Sequence, residues 1–172
     1  GDHRDLHLSL RRQRQMCIRD RFDPPGPNLR NEQFEAYKAN RDETPEDIKL
    51  SVPWIVKVLE GLNIPVLQAP GFEADDLIGC LAKRAEKEDF DVFMMTPDKD
   101  FAQLVTERIR MYRPGRSGNP PTVWGPAEVC ERYGLEEPEQ VIDLLGLMGD
   151  SADNIPGVPG VGEKTAIKFL QQ

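Results

Sequence analysis

The sequence predicts an α/β domain with a mostly parallel sheet, followed by a smaller helical region. Between residues 22 and 124, short apolar runs that suit strands alternate with amphipathic segments that suit helices, a pattern typical of parallel α/β sheets. From Gly125 onward only helical patterns follow. We therefore expect a core unit at 22–124 and a C-terminal helical unit at 125–172.

The first part of the chain contains one clear helix start. Thr44 can cap a helix, Pro45 suits its first turn, and an apolar stripe continues to a stop near Gly61. Pro53 lies inside the stripe and predicts a kink or break. The other elements predicted here are a short helix at 34–41, a strand at 66–69 and a helix at 73–88.

The second part begins with an apolar run at 91–95, which predicts a strand buried on both faces. A helix at 98–105 and a strand at 109–112 follow, and then a turn at 115–119. Three helices are expected beyond them, at 126–133, 138–148 and 164–171.

Composition sets further bounds. The chain has 172 residues and contains no secretory signal pattern and no apolar run of membrane-spanning length. Cys17, Cys80 and Cys130 form no CxxC pair, which argues against a disulfide framework or zinc site and favours a reducing cytoplasm. The net charge of −8 argues against nucleic-acid binding, unless many of the acids are metal ligands.

Residues 1–21 differ from the rest because they are rich in Arg and Gln and have no apolar periodicity. One interpretation is a basic arm that contacts DNA. The other is a non-native leader, since residues 16–21 match the translation of a transposon end used in sequencing libraries. On the second interpretation the native frame begins near Phe22.

Three acidic groups are the main functional signal. Their members are Glu73, Asp75 and Asp76, then Asp98 and Asp100, then Asp150 and Asp153. Neighbouring carboxylates repel unless a cation lies between them, and hard oxygen ligands suit Mg²⁺ or Mn²⁺. The first two groups follow predicted strands, as Asp23 does, so all should meet at one sheet edge. This predicts a two-metal site that hydrolyses phosphodiesters.

Each acidic group also has a simpler explanation. The first group can satisfy the positive end of a helix, Asp98 can be an N-cap, and Asp150 with Asp153 can cap a turn. A separate basic pair, Lys38 and Arg41, could clamp single-stranded nucleic acid together with a stacking Tyr37. These three side chains could equally form the exposed face of an amphipathic helix.

A glycine-rich run follows the third acidic group and resembles a helix-hairpin-helix loop. Its glycines would let backbone N–H groups face a phosphate at a helix N-terminus. The alternative is an ordinary turn between helices. The expected DNA contacts are Gly157, Val158, Gly160, Val161, Gly162, Lys164 and Thr165.

Four segments carry a family resemblance: FEAYKANR, GFEADDLIG, TPDKDFAQL and GDSADNIPGVPGVGEKTA. Together they resemble the 5′–3′ exonuclease domain of bacterial DNA polymerase I, in the flap-endonuclease superfamily. The resemblance implies a PIN-like domain with a helix-hairpin-helix that carries K⁺. It implies hydrolysis of 5′ flaps, nicked or gapped duplexes and RNA–DNA primer junctions in replication and repair, with two Mg²⁺ or Mn²⁺ ions.

The resemblance also assigns residues. It makes Asp23 and the seven acids above metal-site residues, and it makes Lys38 and Arg41 basic groups that act near the scissile phosphate. The family's first strand, with its own metal-ligating Asp, has no counterpart before Phe22. We therefore expect a fragment that lacks its first strands and at least one metal ligand. The resemblance implies a bacterial protein whose full-length form has a C-terminal polymerase domain.

Two other functions compete with the nuclease interpretation. One is a fragment with an incomplete metal site that binds duplex DNA through the helix-hairpin-helix without cleaving it. An RNA-cleaving PIN-type nuclease is the other, although the glycine-rich hairpin argues against it.

Overall fold

The structure is a computed structural model that describes residues 29–115 and 118–171. The predictions for residues 1–21 and for Asp23 lie outside the described residues. The described chain forms a mixed α/β layer followed by a helical unit, as the sequence predicts.

Within the described residues, three helices precede the sheet: α1 (Leu29–Gln33), α2 (Glu46–Gly61) and α3 (Ala74–Lys87). Helix α2 runs unbroken through Pro53, and Pro45 rather than Thr44 is its N-cap. None of its residues is buried, and Trp54 is 68% exposed. The apolar stripe predicted the helix correctly, but no described element covers it.

Two predicted elements of this region are wrong. Residues 34–41 form hydrogen-bonded turns instead of a helix, because Lys38 has a left-handed φ of 57° that a right-handed helix cannot contain. Residues 66–69 are irregular. No described strand lies beside them, and a strand needs a neighbouring ladder to be stable.

The described part of the sheet has three strands, β1 (Val92–Met95), β2 (Ile109–Arg113) and β3 (Thr122–Trp124), in the order β1-β2-β3. β1 and β2 are parallel, with Val92 opposite Ile109, whereas β2 and β3 are antiparallel. β1 lies at an edge of the described sheet. Its outward residues Phe93 and Met95 are 53% and 67% exposed, so the predicted burial on both faces is wrong.

The C-terminal unit contains α4 (Pro126–Tyr133), α5 (Val141–Met148) and α6 (Glu163–Leu170). A short hairpin of β4 (Gly149–Asp150) and β5 (Ile155–Pro156) joins α5 to the glycine-rich run. A Cβ atom at Gly157 would lie 2.2 Å from the backbone of Met148. Glycine is therefore required where the two backbones cross.

The core joins the two units. Its largest fully buried side chains come from β2, α4 and α5: Ile109, Met111, Val129, Val141 and Leu144. Burial of each such side chain contributes about 1.5–3 kcal/mol, so the sheet and the helical unit stabilise each other. In the part of the chain that the structure describes, no helix is both long and apolar enough to cross a membrane.

Candidate active site

The first acidic group begins at the N-terminus of α3, where Glu73 is the N-cap. The Glu73 backbone N–H donates to Asp76 Oδ2 at 3.0 Å, which satisfies one of the amides left open at a helix start. The capping explanation therefore accounts for one oxygen of Asp76. Glu73 and Asp76 also contact cations and a hydroxyl from outside the helix.

Arg30 of α1 binds Asp76 through two parallel hydrogen bonds, of 2.8 and 2.6 Å. Paired bonds of this kind are among the stronger polar contacts in proteins. The hydrogen bond from Arg30 is the main reason that the pKa of Asp76 lies below its usual value. Arg30 also lies 3.8 Å from Glu73.

Tyr37 connects the first and third acidic groups. Its hydroxyl lies 3.0 Å from Glu73 Oε2 and 3.1 Å from Asp153 Oδ2. Burial, and then the negative charge of Glu73, raise the pKa of Tyr37 above its usual value. The side chain is only 4% exposed, so its ring is not open for the base stacking expected from the sequence.

Lys38 and Arg41 also face the acids. Lys38 Nζ lies 2.7 Å from Glu73 Oε1, and the Lys38 backbone N–H donates to the Asp153 carbonyl at 2.9 Å. Arg41 pairs with Asp153 Oδ1 and donates to the Ala152 carbonyl at 3.3 Å. Both basic side chains therefore neutralise carboxylates of the predicted metal site.

The second acidic group surrounds the start of a 3₁₀ helix, Lys99–Leu104. Asp98 is its N-cap, as the capping explanation predicted, and accepts the Asp100 N–H at 3.1 Å. The ammonium of Lys99 lies 2.9 Å from Asp100 Oδ1 and also contacts Asp150 Oδ2. One lysine therefore joins the second and third groups.

The contact between Lys99 and Asp150 stabilises the charged form of both side chains. Burial by itself lowers the pKa of Lys99, but its hydrogen bonds to Asp150 and Asp100 outweigh burial and raise it above the usual value. Burial likewise raises the pKa of Asp150, but the hydrogen bonds from Lys99 and from the Ala152 N–H outweigh this effect and hold the pKa low.

The third group belongs to a tight turn after β4. Asp150 Oδ1 accepts the N–H groups of Ala152 and Asp153, at 2.8 and 3.3 Å, as the turn-capping explanation predicted. Segment 36–41 packs on this turn, and two asparagines close the contact. Asn40 donates to the Ser151 carbonyl at 2.8 Å, and Asn154 donates to the Ala36 carbonyl at 2.7 Å.

Asp75 and Asp98 line one open cavity of about 760 Å³, whose wall also includes Thr96 and Arg113. The cavity lies beside the end of β1, where ligands of α/β sheets gather. It is large enough to admit hydrated ions and part of a polynucleotide. These two carboxylates therefore face a common open space.

The structure thus links all three acidic groups through hydrogen bonds and ion pairs. The linked acids are Glu73, Asp76, Asp100, Asp150 and Asp153, and the linking residues are Arg30, Tyr37 and Lys99. Carboxylates in this number suit Mg²⁺ or Mn²⁺ by donor chemistry. Among the described residues, however, no three Asp, Glu, His or Cys side chains are arranged to hold a metal ion. Basic side chains contact the carboxylates of five of these acids: Glu73, Asp76, Asp100, Asp150 and Asp153.

The glycine-rich run leads from β5 into α6. Gly162 is the N-cap of α6, with Gly160 in a left-handed turn at φ 79°. Val158 and Lys164 are exposed, whereas Val161 packs against the core. The run therefore presents a helix N-terminus at the surface, which is the geometry that a phosphate contact needs.

Sequence reasoning missed two residues of this site. Arg30 is 46 positions from Asp76, and no sequence pattern connects them. Lys99 did carry a signal, because it stands between two acids, but its contact with Asp150 depends on the packing of the helical unit against the core.

Comparisons with known proteins identify the family of this chain. A model of the 5′-3′ exonuclease N-terminal resolvase-like domain matches residues 5–134, and a model of the 5′-3′ exonuclease C-terminal SAM fold matches residues 136–172. The chain is 44% identical to the thermostable DNA polymerase I of Thermus thermophilus over 152 residues, which are 88% of this chain. It is 45% identical to DNA polymerase I of Bacillus subtilis over 151 residues. In both cases it spans 17% of the relative's length.

Solved structures show the same fold. T5 5′-exonuclease with bound zinc has a TM-score of 0.73 at 23% identity, covering 98% of this chain and 63% of that one. The catalytic core of Rad2 in complex with DNA substrate has a TM-score of 0.55 at 20% identity, covering 85% and 43%. The two family models between them match nearly the whole chain, and the chain therefore belongs to the 5′–3′ exonuclease family.

Proposed function

We propose that this chain is the nuclease part of a bacterial DNA polymerase I, and that it hydrolyses DNA phosphodiesters at 5′ flaps, nicks, gaps and RNA–DNA primer junctions. Replication and repair in the bacterial cytoplasm are the corresponding setting. The observation that carries the proposal is the linkage of three acidic groups by Tyr37 and Lys99 beside an open cavity. Family membership and the metal-bound T5 relative support it.

The metal-site residues of the proposal are the seven described acids, together with Asp23. Two Mg²⁺ or Mn²⁺ ions held there would supply Lewis-acid stabilisation of the attacking and leaving oxygens. Asp75 and Asp98 line the cavity and are the side chains best placed to meet a substrate there. The K⁺ expected at the glycine-rich hairpin belongs to the same proposal.

Lys38 and Arg41 act on the DNA in this proposal. If Glu73 and Asp153 held a metal ion, the side chains of Lys38 and Arg41 would be available for phosphate oxygens. Arg41 is half-exposed already, whereas Lys38 is 18% exposed and would move further. The exposed N-terminus of α6 with Lys164 would hold the duplex backbone at a second point.

Cleavage of a 5′-labelled flap DNA in Mg²⁺ tests the proposal. Asp98→Asn keeps a side-chain oxygen for the cap but removes the charge, so we expect it to slow cleavage by about a hundredfold or more. Asp91→Asn is the matched control, because it makes the same change at an exposed position before β1. Full activity in Asp98→Asn would contradict the proposed site.

A second candidate function is DNA binding without cleavage. It is favoured by the absence, within the described residues, of three side chains arranged around one metal position. Binding of an unlabelled duplex that weakens steeply with salt, with no cleavage in either Mg²⁺ or Mn²⁺, would support this candidate over the nuclease.

A further inference from the structure

Lys99 occupies an unusual position between two acidic groups. It lies between Asp98 and Asp100 in sequence, yet its ammonium also reaches Asp150, which is 51 positions away. The Lys99 side chain is 45% exposed, and the carboxylates of Asp100 and Asp150 are 39% and 16% exposed. In the contact between Lys99 and Asp150, the lysine side chain is therefore accessible to solvent, whereas the Asp150 carboxylate is largely buried.

The backbone fixes which oxygens this contact uses. Asp150 Oδ1 is held by the N–H groups of its own turn, so Oδ2 is the oxygen that faces away from the turn, and Lys99 contacts it. Asp98 Oδ1 is similarly held by the Asp100 N–H. A cation that approaches Asp150 Oδ2 from the solvent therefore meets the positive charge of the Lys99 ammonium there.

We propose that Lys99 is an internal counter-cation, which holds Asp150 beside Asp100 when no divalent ion is bound and competes with a divalent ion for Asp150 Oδ2. This inference rests on the proposed function, because it concerns the same carboxylates. Lys99 acts through Asp150 and Asp100 and is a positioning residue. It stabilises the metal-free protein and weakens the first step of metal binding.

The physical reason is the repulsion between carboxylates brought together from two units of the fold. Without a cation between them, Asp100 and Asp150 would destabilise the packing of the helical unit on the core. A lysine within the acidic group supplies that charge permanently, whereas a divalent ion supplies it only when bound. The two cations are therefore alternatives at one oxygen.

Mn²⁺ binding to the full chain, followed by the electron paramagnetic resonance signal of unbound Mn²⁺, tests the inference. We expect Lys99→Met to lower the Kd for Mn²⁺ by about two- to fivefold, the range that corresponds to one ion pair of this kind. Lys99→Arg keeps the charge, and we expect its Kd to stay within about twofold of the wild type. A second readout is thermal stability: Lys99→Met should melt lower in EDTA, and saturating Mn²⁺ should abolish the difference.

Lys83→Met is the matched control. Lys83 has a similarly exposed side chain, at 44%, and pairs with Glu86 on α3 outside the acidic groups. Equal tightening in Lys83→Met and Lys99→Met would overturn the inference, because net charge alone would explain it. An unchanged or raised Kd in Lys99→Met would also overturn it while leaving the proposed function intact. Failure of the wild type to bind Mn²⁺ at all would overturn both.

Discussion

Replacing Tyr37 by phenylalanine removes the hydroxyl that joins Glu73 to Asp153. The oxygen lies 3.0 and 3.1 Å from the two carboxylates, and the side chain is 4% exposed, so water cannot readily replace it. The hydroxyl has one proton and donates to one carboxylate at a time, so the substitution removes the free energy of one hydrogen bond. A hydrogen bond to a charged group contributes about 1.5–3 kcal/mol, and we expect the free energy of unfolding to fall by about 2 kcal/mol.

Urea unfolding followed by circular dichroism, in EDTA at neutral pH, measures this change. With a typical slope for small proteins, 2 kcal/mol lowers the midpoint by about 1 M urea. Tyr112→Phe is the matched control, since Tyr112 is half-buried and its hydroxyl has no hydrogen bond to another described residue. A loss below about 0.5 kcal/mol in Tyr37→Phe, within the range of ordinary surface substitutions, would refute the role given to this hydroxyl.

Two further predictions concern the hairpin and the pH dependence of stability. Gly157→Ala should lower the free energy of unfolding by about 1–3 kcal/mol, because its Cβ would overlap the Met148 backbone. Gly162→Ala is the control and should be nearly neutral, because a Cβ atom there would meet nothing within 4 Å. Equal melting temperatures of the two variants would contradict this prediction. Arg30→Met should cost about 1 kcal/mol at pH 7 in EDTA. Because the pKa of Asp76 is lowered in the fold, the stability difference between wild type and Arg30→Met should be present at pH values above the usual carboxyl pKa. It should disappear as the pH falls through the lowered pKa of Asp76. A stability difference that does not change with pH would count against the Arg30–Asp76 pair.

The site was predictable only in part. The sequence identified the three acidic groups and the capping roles of Asp98 and Asp150, because helix starts and turns leave local signals. The expected route to convergence was wrong for Glu73, since residues 66–69 form no strand that could deliver it to the sheet edge. Its link to Asp153 comes instead through Tyr37.

The sequence by itself determined the α/β-then-helical order, most helix positions, the acidic and glycine-rich segments and the family resemblance, because these depend on local periodicity and on contiguous motifs. Only the tertiary structure decided that Tyr37 is buried between carboxylates and that α2 has no cover among the described residues. It also decided that Lys99 contacts Asp150. These features join residues 36 to 116 positions apart or depend on which face another element covers, and periodicity within one segment carries no information about either.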